Sequence, residues 1–209
     1  MPDPTLEREQ ALWAKGYRFV AGLDEVGRGP IAGPVVAAAV IFRPGQEPLE
    51  GLRDSKIMSA SARERLAEEI RRAALAFGLG AASVREIDRM NIRRATARAM
   101  RRAVARLSTA PDYLLVDGSA FPELGHAHEA VVDGDALCQS VSAAAVLAKC
   151  VRDDLMRRLA GRYPPFAWEQ NKGYATAHHL ETLAAQGPTP HHRVSFAPLG
   201  QPELFSQSR

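Results

Sequence analysis

Two apolar stretches near the start of the chain are separated by a segment rich in glycine and proline. YRFVAGL, residues 17–23, and PVVAAAVIF, residues 34–42, have the length and apolar content of buried strands. The intervening DEVGRGPIAG has the composition of a loop. The pattern therefore predicts strand, loop and strand, with the acidic pair Asp24 and Glu25 where the first strand ends.

Further along, apolar residues recur at the three- and four-residue spacing of helices. Ser59 is a candidate N-cap for a helix in which Leu66 and Ile70 lie on one face, while arginine and glutamate fill the other. The predicted helices cover residues 60–77, 91–107, about 140–160 and about 175–186.

Short apolar segments between these helices predict three more strands, over residues 79–84, 113–116 and about 129–132. Asp117 directly follows the second of them, and Asp135 lies in the loop after the third. Strands separated by helices predict an α/β or α+β domain in which helices cover a central mixed sheet.

Length and composition indicate one main domain. With 209 residues, 46% hydrophobic and 24% charged, the chain is long enough for one sizeable core. We expect an N-terminal extension over residues 1–16, the main domain over 17–199 and a flexible tail over 200–209. The net charge of +3 is compatible with a polyanionic partner without requiring one.

The two cysteines, Cys138 and Cys150, are too few for a disulfide framework and lack the spacing of a zinc site. The N-terminal residues are charged rather than apolar, and no window approaches the ~20 apolar residues of a membrane span. We therefore expect a soluble, cytoplasmic protein.

The four carboxylates at predicted strand ends are the candidate chemistry: Asp24, Glu25, Asp117 and Asp135. Clustered carboxylates repel one another unless cations neutralise them, and hard oxygen ligands select Mg²⁺ or Mn²⁺. Two such ions about 3.5 to 4 Å apart could activate a water and stabilise a leaving oxygen. Each acid taken alone also fits a turn former or helix cap. Two adjacent acids on an apolar strand are less ordinary, because successive strand residues face opposite sides.

The segment DEVGRGPIAGPVVAAAVI, residues 24–41, resembles the opening of bacterial ribonuclease HII. The similarity continues, in order, through LRDSK (52–56), EIDRMNI (86–92), LLVDG (114–118), GD (134–135), SAAAVLAKCVRD (142–153), KGYATAHH (172–179) and HHRVSF (191–196). It spans about residues 17–199. The resemblance implies an RNase H-like fold with a C-terminal helical region.

The resemblance also implies roles for individual residues. The family's four catalytic, metal-binding residues match the same four carboxylates, which would bind two Mg²⁺ or Mn²⁺ ions. The loop Gly27, Arg28 and Gly29 would lie against the sugar-phosphate at the cleavage site, and Tyr174 would stack on the deoxyribose after the ribonucleotide. Basic residues in matching segments are further candidates for phosphate binding, namely Lys56, Lys149, Lys172 and Arg193. Taken alone, the Gly-Arg-Gly loop also fits a tight turn, the tyrosine fits an ordinary surface residue, and each basic residue fits a solvated charge.

The implied activity is hydrolysis of the RNA strand of RNA–DNA hybrids, and cleavage on the 5′ side of ribonucleotides embedded in duplex DNA. The products would carry a 5′-phosphate and a 3′-hydroxyl. In this interpretation Asp24 and Asp117 hold the main cation, while Glu25 and Asp135 complete a second site or orient water. We expect a monomer; the sequence does not decide whether a sliding clamp is a partner.

Four positions depart from the family pattern: Ile57, Asp133, Ala145 and Asn171 stand where lysine, lysine, serine and histidine are common. None removes a carboxylate, although Asp133 adds negative charge beside Asp135. The pairs His178–His179 and His191–His192 lack the i, i+4 spacing of a helical zinc site.

Three other functions account for part of the pattern. Ribonuclease HIII carries an extra N-terminal domain and lacks the GRG loop, and only about twenty residues precede Asp24 here. A non-catalytic duplex-binding protein would use the basic residues for the phosphate backbone and the acids as caps. A glycosidase needs two opposed acids rather than four gathered ones.

Overall fold

The computed structural model describes residues 3–52 and 59–200 and contains a mixed, five-stranded sheet. The strands are β1 (Val20–Val26), β2 (Val35–Ile41), β3 (Ala76–Ala82), β4 (Tyr113–Asp117) and β5 (His128–Val131). Their order across the sheet is β3-β2-β1-β4-β5. β2 is antiparallel to both of its neighbours, whereas β1, β4 and β5 run parallel. The predicted central mixed sheet is confirmed.

Helices cover the sheet and form the C-terminal region. They are α1 (Glu7–Ala14), α2 (Ala60–Ala73), α3 (Val84–Met90), α4 (Ile92–Val104), α5 (Gly134–Leu137), α6 (Gln139–Arg162), α7 (Trp168–Asn171) and α8 (Ala177–Gln186). Single 3₁₀ turns occupy Pro122–Leu124 and Pro164–Phe166. Within the described ranges, no helix has both the length and the apolar content needed to cross a membrane.

Three element predictions were wrong. The first strand, predicted over residues 17–23, is β1 and continues to Val26, so Asp24 and Glu25 lie within the strand rather than after it. The helix predicted over 60–77 ends at Ala73, because Ala74 is extended and the chain from Ala76 pairs with β2 as β3. The strand predicted over 79–84 therefore begins earlier and ends at Ala82. The helix predicted over 91–107 is α4, and α3 precedes it unpredicted; Asn91, with φ 70°, separates the two.

Residues expected to form an N-terminal extension pack against the domain. The backbone N–H of Thr5 donates to the carbonyl oxygen of Leu137 at 3.1 Å. One carboxylate oxygen of the buried Glu9 accepts from the backbone N–H and the hydroxyl of Ser140, at 2.9 and 2.6 Å. Glu9 thereby caps the first turn of α6, where free N–H groups and the helix dipole favour a negative charge. Of the expected tail, residues 201–209 lie outside the described residues.

The helices approach the sheet closely because glycines face them. A Cβ on Gly22 of β1 would lie 2.2 Å from the backbone of Ser140 in α6. On the opposite face of the sheet, a Cβ on Gly78 or Gly80 would lie 2.1 Å from carbonyl oxygens of α4. Thus α6 packs directly on the central strand that carries Asp24, which fixes the helix relative to that carboxylate.

Candidate active site

Asp24 and Asp117 lie side by side on neighbouring strands. The parallel pairing of β1 with β4 places Leu23 opposite Val116, so the next residue on each strand is an aspartate. Even-numbered residues of β1 face α6, since Val20 packs with Val141 and Gly22 lies against Ser140. Asp24 therefore points to the α6 side, and Glu25, one residue on, points to the other side.

Asp135 is brought to the same place by the start of α5. The backbone N–H of Gly134 donates to Oδ1 of Asp117 at 2.8 Å, and a Cβ on Gly134 would lie 3.3 Å from that oxygen. Asp135 follows in the first turn of α5 rather than in a loop. The sheet and this short helix thus gather the carboxylates of three separate segments.

The environment of Asp24 disfavours its charge. Asp24 is 8% exposed, and its Oδ1 accepts from the backbone N–H of Glu25 at 2.6 Å. Burial, and then the negative charges of Glu25, Asp117 and Asp135, raise the pKa of Asp24 well above its ordinary value; the hydrogen bond opposes this. A positive charge at this place would offset both the cost of ionising a buried carboxyl group and the repulsion from its neighbours.

Glu25 is held by one hydrogen bond and has one oxygen to spare. Burial raises the pKa of Glu25, and the neighbouring Arg28 opposes that rise. Nη1 of Arg28 donates to Oε1 of Glu25 at 3.0 Å. Oε2 of Glu25 is buried and, among the described residues, has no hydrogen-bond partner. An unsatisfied buried carboxylate oxygen is costly, so this atom is suited to a cation.

The four carboxylates fit a hard divalent cation in the chemistry of their donor atoms. As they stand, no three Asp, Glu, His or Cys side chains within residues 3–52 and 59–200 are placed to hold one metal ion. Three of the four carboxylates already accept hydrogen bonds, from the N–H groups of Glu25 and Gly134 and from Arg28. Each of these bonds occupies one carboxylate oxygen, so the second oxygen of each group is the one that would turn toward an ion.

The Gly27–Gly29 loop lies beside Tyr174. Gly27 has φ 94°, and a Cβ there would lie 2.1 Å from Nε of Arg152, so only glycine fits. Gly29 is exposed, and a Cβ there would lie 3.5 Å from Cε1 of Tyr174. Tyr174 is 51% exposed. The structure therefore brings together the loop and the tyrosine that the resemblance linked.

The candidate phosphate-binding residues lie in different environments. Nζ of Lys149 forms an ion pair with Asp153 at 2.7 Å, and Nζ of Lys172 donates to the carbonyl oxygen of Glu169 at 2.6 Å. Arg193 is fully buried, and its guanidinium donates to backbone carbonyl oxygens, so it offers no exposed donor to a phosphate. Lys56 lies outside the described residues.

Sequence reasoning missed Arg152 and the contacts of two histidines. Arg152 is buried, although a single arginine in a long helix looks solvated. Its place within SAAAVLAKCVRD is the one signal that could have identified it. Nε2 of His179 lies 3.0 Å from Nε2 of His192 and accepts from Trp168 Nε1 at 3.2 Å. Nδ1 of His179 therefore carries the proton that is donated to the carbonyl oxygen of Tyr174 at 2.8 Å.

Known proteins share this fold and much of the sequence. The structure of ribonuclease H2 from Pyrococcus horikoshii OT3 matches with a TM-score of 0.74 at 24% identity, over 90% of this chain and 99% of that chain. The RNase HII in a PCNA:RNase HII complex from Archaeoglobus fulgidus gives 0.71 at 26% identity, over 85% and 95%. Bst-RNase HIII in complex with Mn²⁺ gives 0.70 at 19% identity, over 92% and 71%.

Sequence comparison is more specific than the fold. Ribonuclease HII of Thiobacillus denitrificans is 55% identical over 190 residues, which are 89% of this chain and 93% of that protein. The family model of ribonuclease HII matches residues 21–199. We conclude that the chain belongs to the ribonuclease HII family, whose members are ribonuclease H endonucleases acting on the RNA of RNA–DNA hybrids.

Proposed function

We propose that the chain hydrolyses the phosphodiester on the 5′ side of a ribonucleotide, in RNA–DNA hybrids and at ribonucleotides embedded in duplex DNA. The products carry a 5′-phosphate and a 3′-hydroxyl. The observation that best supports this is the position of Asp24 beside Asp117 on adjacent strands, with Gly134 hydrogen-bonded to Asp117. Membership of the family supports the substrate class.

Asp24 and Asp117 would hold the main divalent cation, because they lie next to each other on adjacent strands and face the same side of the sheet. Glu25, with its free buried oxygen, and Asp135 would complete a second site or orient water. Bound Mg²⁺ or Mn²⁺ would lower the pKa of a water and neutralise charge on the leaving oxygen. The Mn²⁺ complex of a ribonuclease HIII with the same fold supports this choice of ions.

The substrate would bind across the exposed side of the Gly27–Gly29 loop and Tyr174. Arg28 and Gly29 are exposed there, and the Tyr174 ring presents an apolar face to a sugar. Lys149, Lys172 and Lys56 would bind backbone phosphates of the substrate, and salt would weaken these contacts. The ion pair of Lys149 with Asp153 uses one of the three donors of the ammonium group. We further propose a monomer that acts in the cytoplasm.

A duplex with one ribonucleotide, labelled at the 5′ end of the ribonucleotide strand, tests the proposal. With Mg²⁺ or Mn²⁺ we expect a single labelled product that ends just 5′ of the ribonucleotide with a 3′-hydroxyl, and no product in EDTA. Asp24→Asn should bind this duplex without cutting it. Binding of the wild type that is unaffected by Mg²⁺, with no cleavage, would instead favour a non-catalytic duplex-binding protein.

A further inference from the structure

Two buried arginines lie behind the Gly27–Gly29 loop. Arg193 and Arg152 are 0% and 1% exposed. Arg193 donates to the carbonyl oxygens of Gly27 at 2.6 Å, Arg28 at 2.9 Å, and Gly33 at 2.8 and 3.0 Å. Arg152 donates to the carbonyl oxygens of Ala32, Pro34 and Lys172, at 3.2, 3.0 and 3.0 Å. Six backbone carbonyl groups therefore point inward, toward two guanidinium groups.

This arrangement fixes the direction of the neighbouring N–H groups. In a planar trans peptide, the carbonyl oxygen of one residue and the N–H of the next point in opposite directions. Because the oxygens of Gly27 and Arg28 point at Arg193, the N–H groups of Arg28 and Gly29 point away from it. Both residues are exposed, and the described part of the chain supplies no acceptor for either N–H.

The burial of the two cations is balanced by these carbonyl groups. Burial, and next the positive charge of Arg152, lower the pKa of Arg193 to about 9. The carboxylate acting on Arg193 is Asp88, which itself accepts from the backbone N–H groups of Val194 and Ser195. A buried guanidinium needs most of its donors satisfied, so the loop and Arg193 hold each other in one conformation.

We infer that Arg193 is a positioning residue that turns the N–H groups of Arg28 and Gly29 toward an acceptor oxygen of the scissile nucleotide. The oxygen belongs to the 2′-hydroxyl or to the adjacent phosphate. Arg193 itself does not touch the substrate, in contrast to the phosphate-binding role expected from the sequence. The inference rests on the proposed function, since it assigns a job to the same site.

The first test replaces Arg193 by lysine, which keeps the charge but has one donor nitrogen in place of three and so cannot repeat the four hydrogen bonds of the guanidinium. Arg102→Lys is the matched control, because Arg102 donates to the carbonyl oxygen of Ala81 and to Glu86, at the β3 edge of the sheet. We would measure melting temperature, single-turnover cleavage rate, and affinity in EDTA for matched duplexes with and without one ribonucleotide.

Arg193→Lys should slow cleavage at least about ten-fold, the loss that accompanies one hydrogen bond of about 1.4 kcal/mol. Arg102→Lys should keep the wild-type rate even where its melting temperature falls as far. Loss of preference for the ribonucleotide-containing duplex would identify the 2′-hydroxyl, and an equal loss of affinity for both duplexes would identify the phosphate. A folded Arg193→Lys protein with wild-type rate and affinities would overturn the inference.

The second test removes one N–H without touching Arg193. Gly29→Pro deletes the N–H, whereas Gly29→Ala keeps it and adds a Cβ at an ordinary 3.5 Å from the Tyr174 ring. Gly29 does not have a positive φ, so its backbone is outside the left-handed region that would strain either replacement. The proline variant should lose at least about ten times more rate than the alanine variant; equal losses would contradict the inference. If the wild type itself cuts no ribonucleotide-containing strand, the proposed function fails instead.

Discussion

At the scale of single residues, the fold keeps Asp24 away from water and beside further negative charges. This is unfavourable for the metal-free protein, because the ionised form is disfavoured by burial before any neighbour is counted. Glu181 of α8, in contrast, is exposed to water. The charge that suits Asp24 to a cation therefore lowers the stability of the protein without one.

Asp24→Asn should raise the melting temperature in EDTA near neutral pH. The pKa of Asp24 is higher in the folded than in the unfolded protein, so ionisation favours unfolding once the pH exceeds the unfolded value near 3.9. We expect a gain of about 2 °C or more near pH 7, which corresponds to about 1 kcal/mol at this size. The gain should shrink as the pH approaches about 4.

Thermal unfolding followed by circular dichroism at several pH values measures this gain. Glu181→Gln, which removes an exposed carboxylate, is the control and should leave the melting temperature nearly unchanged. An Asp24→Asn protein that melts below the wild type at neutral pH would show that the charge is stabilised in the fold by interactions beyond those described.

The sequence allowed some of the site residues to be predicted and not others. Asp24 and Glu25 could be singled out because two adjacent acids interrupt an apolar strand, and Asp117 because it ends another. Arg152 and Arg193 could not be placed, because nothing local distinguishes a buried arginine from a solvated one. Five of their six partners are backbone carbonyl groups more than a hundred residues away, and no side-chain pattern records these.

At the scale of elements, the contact of β3 with α4 depends on the absence of side chains. Gly78 and Gly80 both face α4, where Ala99 and Ala103 bring the helix backbone close. The same glycines weakened the strand pattern in the sequence, so the preceding helix was predicted to run on to residue 77. The Ser83–Glu86 capping box was visible in the sequence and would have revealed α3.

Gly80→Ala should therefore be strongly destabilising. Its Cβ would lie 2.1 Å from the carbonyl oxygen of Ala99, a backbone atom that cannot move without shifting α4. We expect a loss of about 1–3 kcal/mol, as for other overpacked cores. Gly161→Ala is the opposite case, because a Cβ there would have no atom within 4 Å and the residue lies in α6. We expect the free energy of unfolding to rise by about 0.5–1 kcal/mol.

Urea denaturation of the wild type and the two alanine variants measures both changes. The expected order of stability is Gly161→Ala, then wild type, then Gly80→Ala. Equal stabilities for the two variants would mean that α4 is free to move away from β3.

The contact between His179 and His192 in the C-terminal region makes the stability of the protein depend on pH. Burial, followed by the charge of His179, lowers the pKa of His192 to about 4. Nδ1 of His192 accepts from the backbone N–H of Thr189 at 3.0 Å, so a proton on that nitrogen would oppose another N–H. The unfolded chain takes up this proton below about pH 6.5, and the folded protein does not.

Stability should therefore fall as the pH drops from about 6.5 toward 4, by on the order of 1–2 kcal/mol between about pH 7 and 5 for this one group. His192→Asn, which keeps an acceptor near Thr189, should lose that part of the pH dependence. His178→Asn, at an exposed histidine of α8, should behave like the wild type. Denaturation curves at the two pH values decide; parallel losses in all three proteins would contradict the prediction.

At the scale of the whole molecule, the carboxylates and the Gly27–Gly29 loop depend on different parts of the chain. The sheet and α5 hold the carboxylates, whereas α6 and the C-terminal region hold the loop through Arg152 and Arg193. The strand and helix pattern predicted the sheet. The attachment of the C-terminal region behind the loop was not predictable, because it depends on packing between distant segments.

Divalent cations should stabilise the whole molecule through the carboxylates. An ion that binds only the folded protein adds about 2.7 kcal/mol at a hundred times its dissociation constant. We expect Mg²⁺ or Mn²⁺ to raise the melting temperature of the wild type by several degrees, on the order of 5 °C or more. Asp24→Asn should gain much less, and an equal rise in both proteins would place the ion elsewhere.

The cap that Glu9 places on α6 also has a consequence for the order of folding. Glu9 and Ser140 are 131 residues apart in sequence, so their hydrogen bonds close a very long loop. At typical rates of synthesis, Ser140 is made roughly 7–26 s after Glu9. The segment that forms α1 is therefore synthesised first, but it can dock only after the start of α6 has been made.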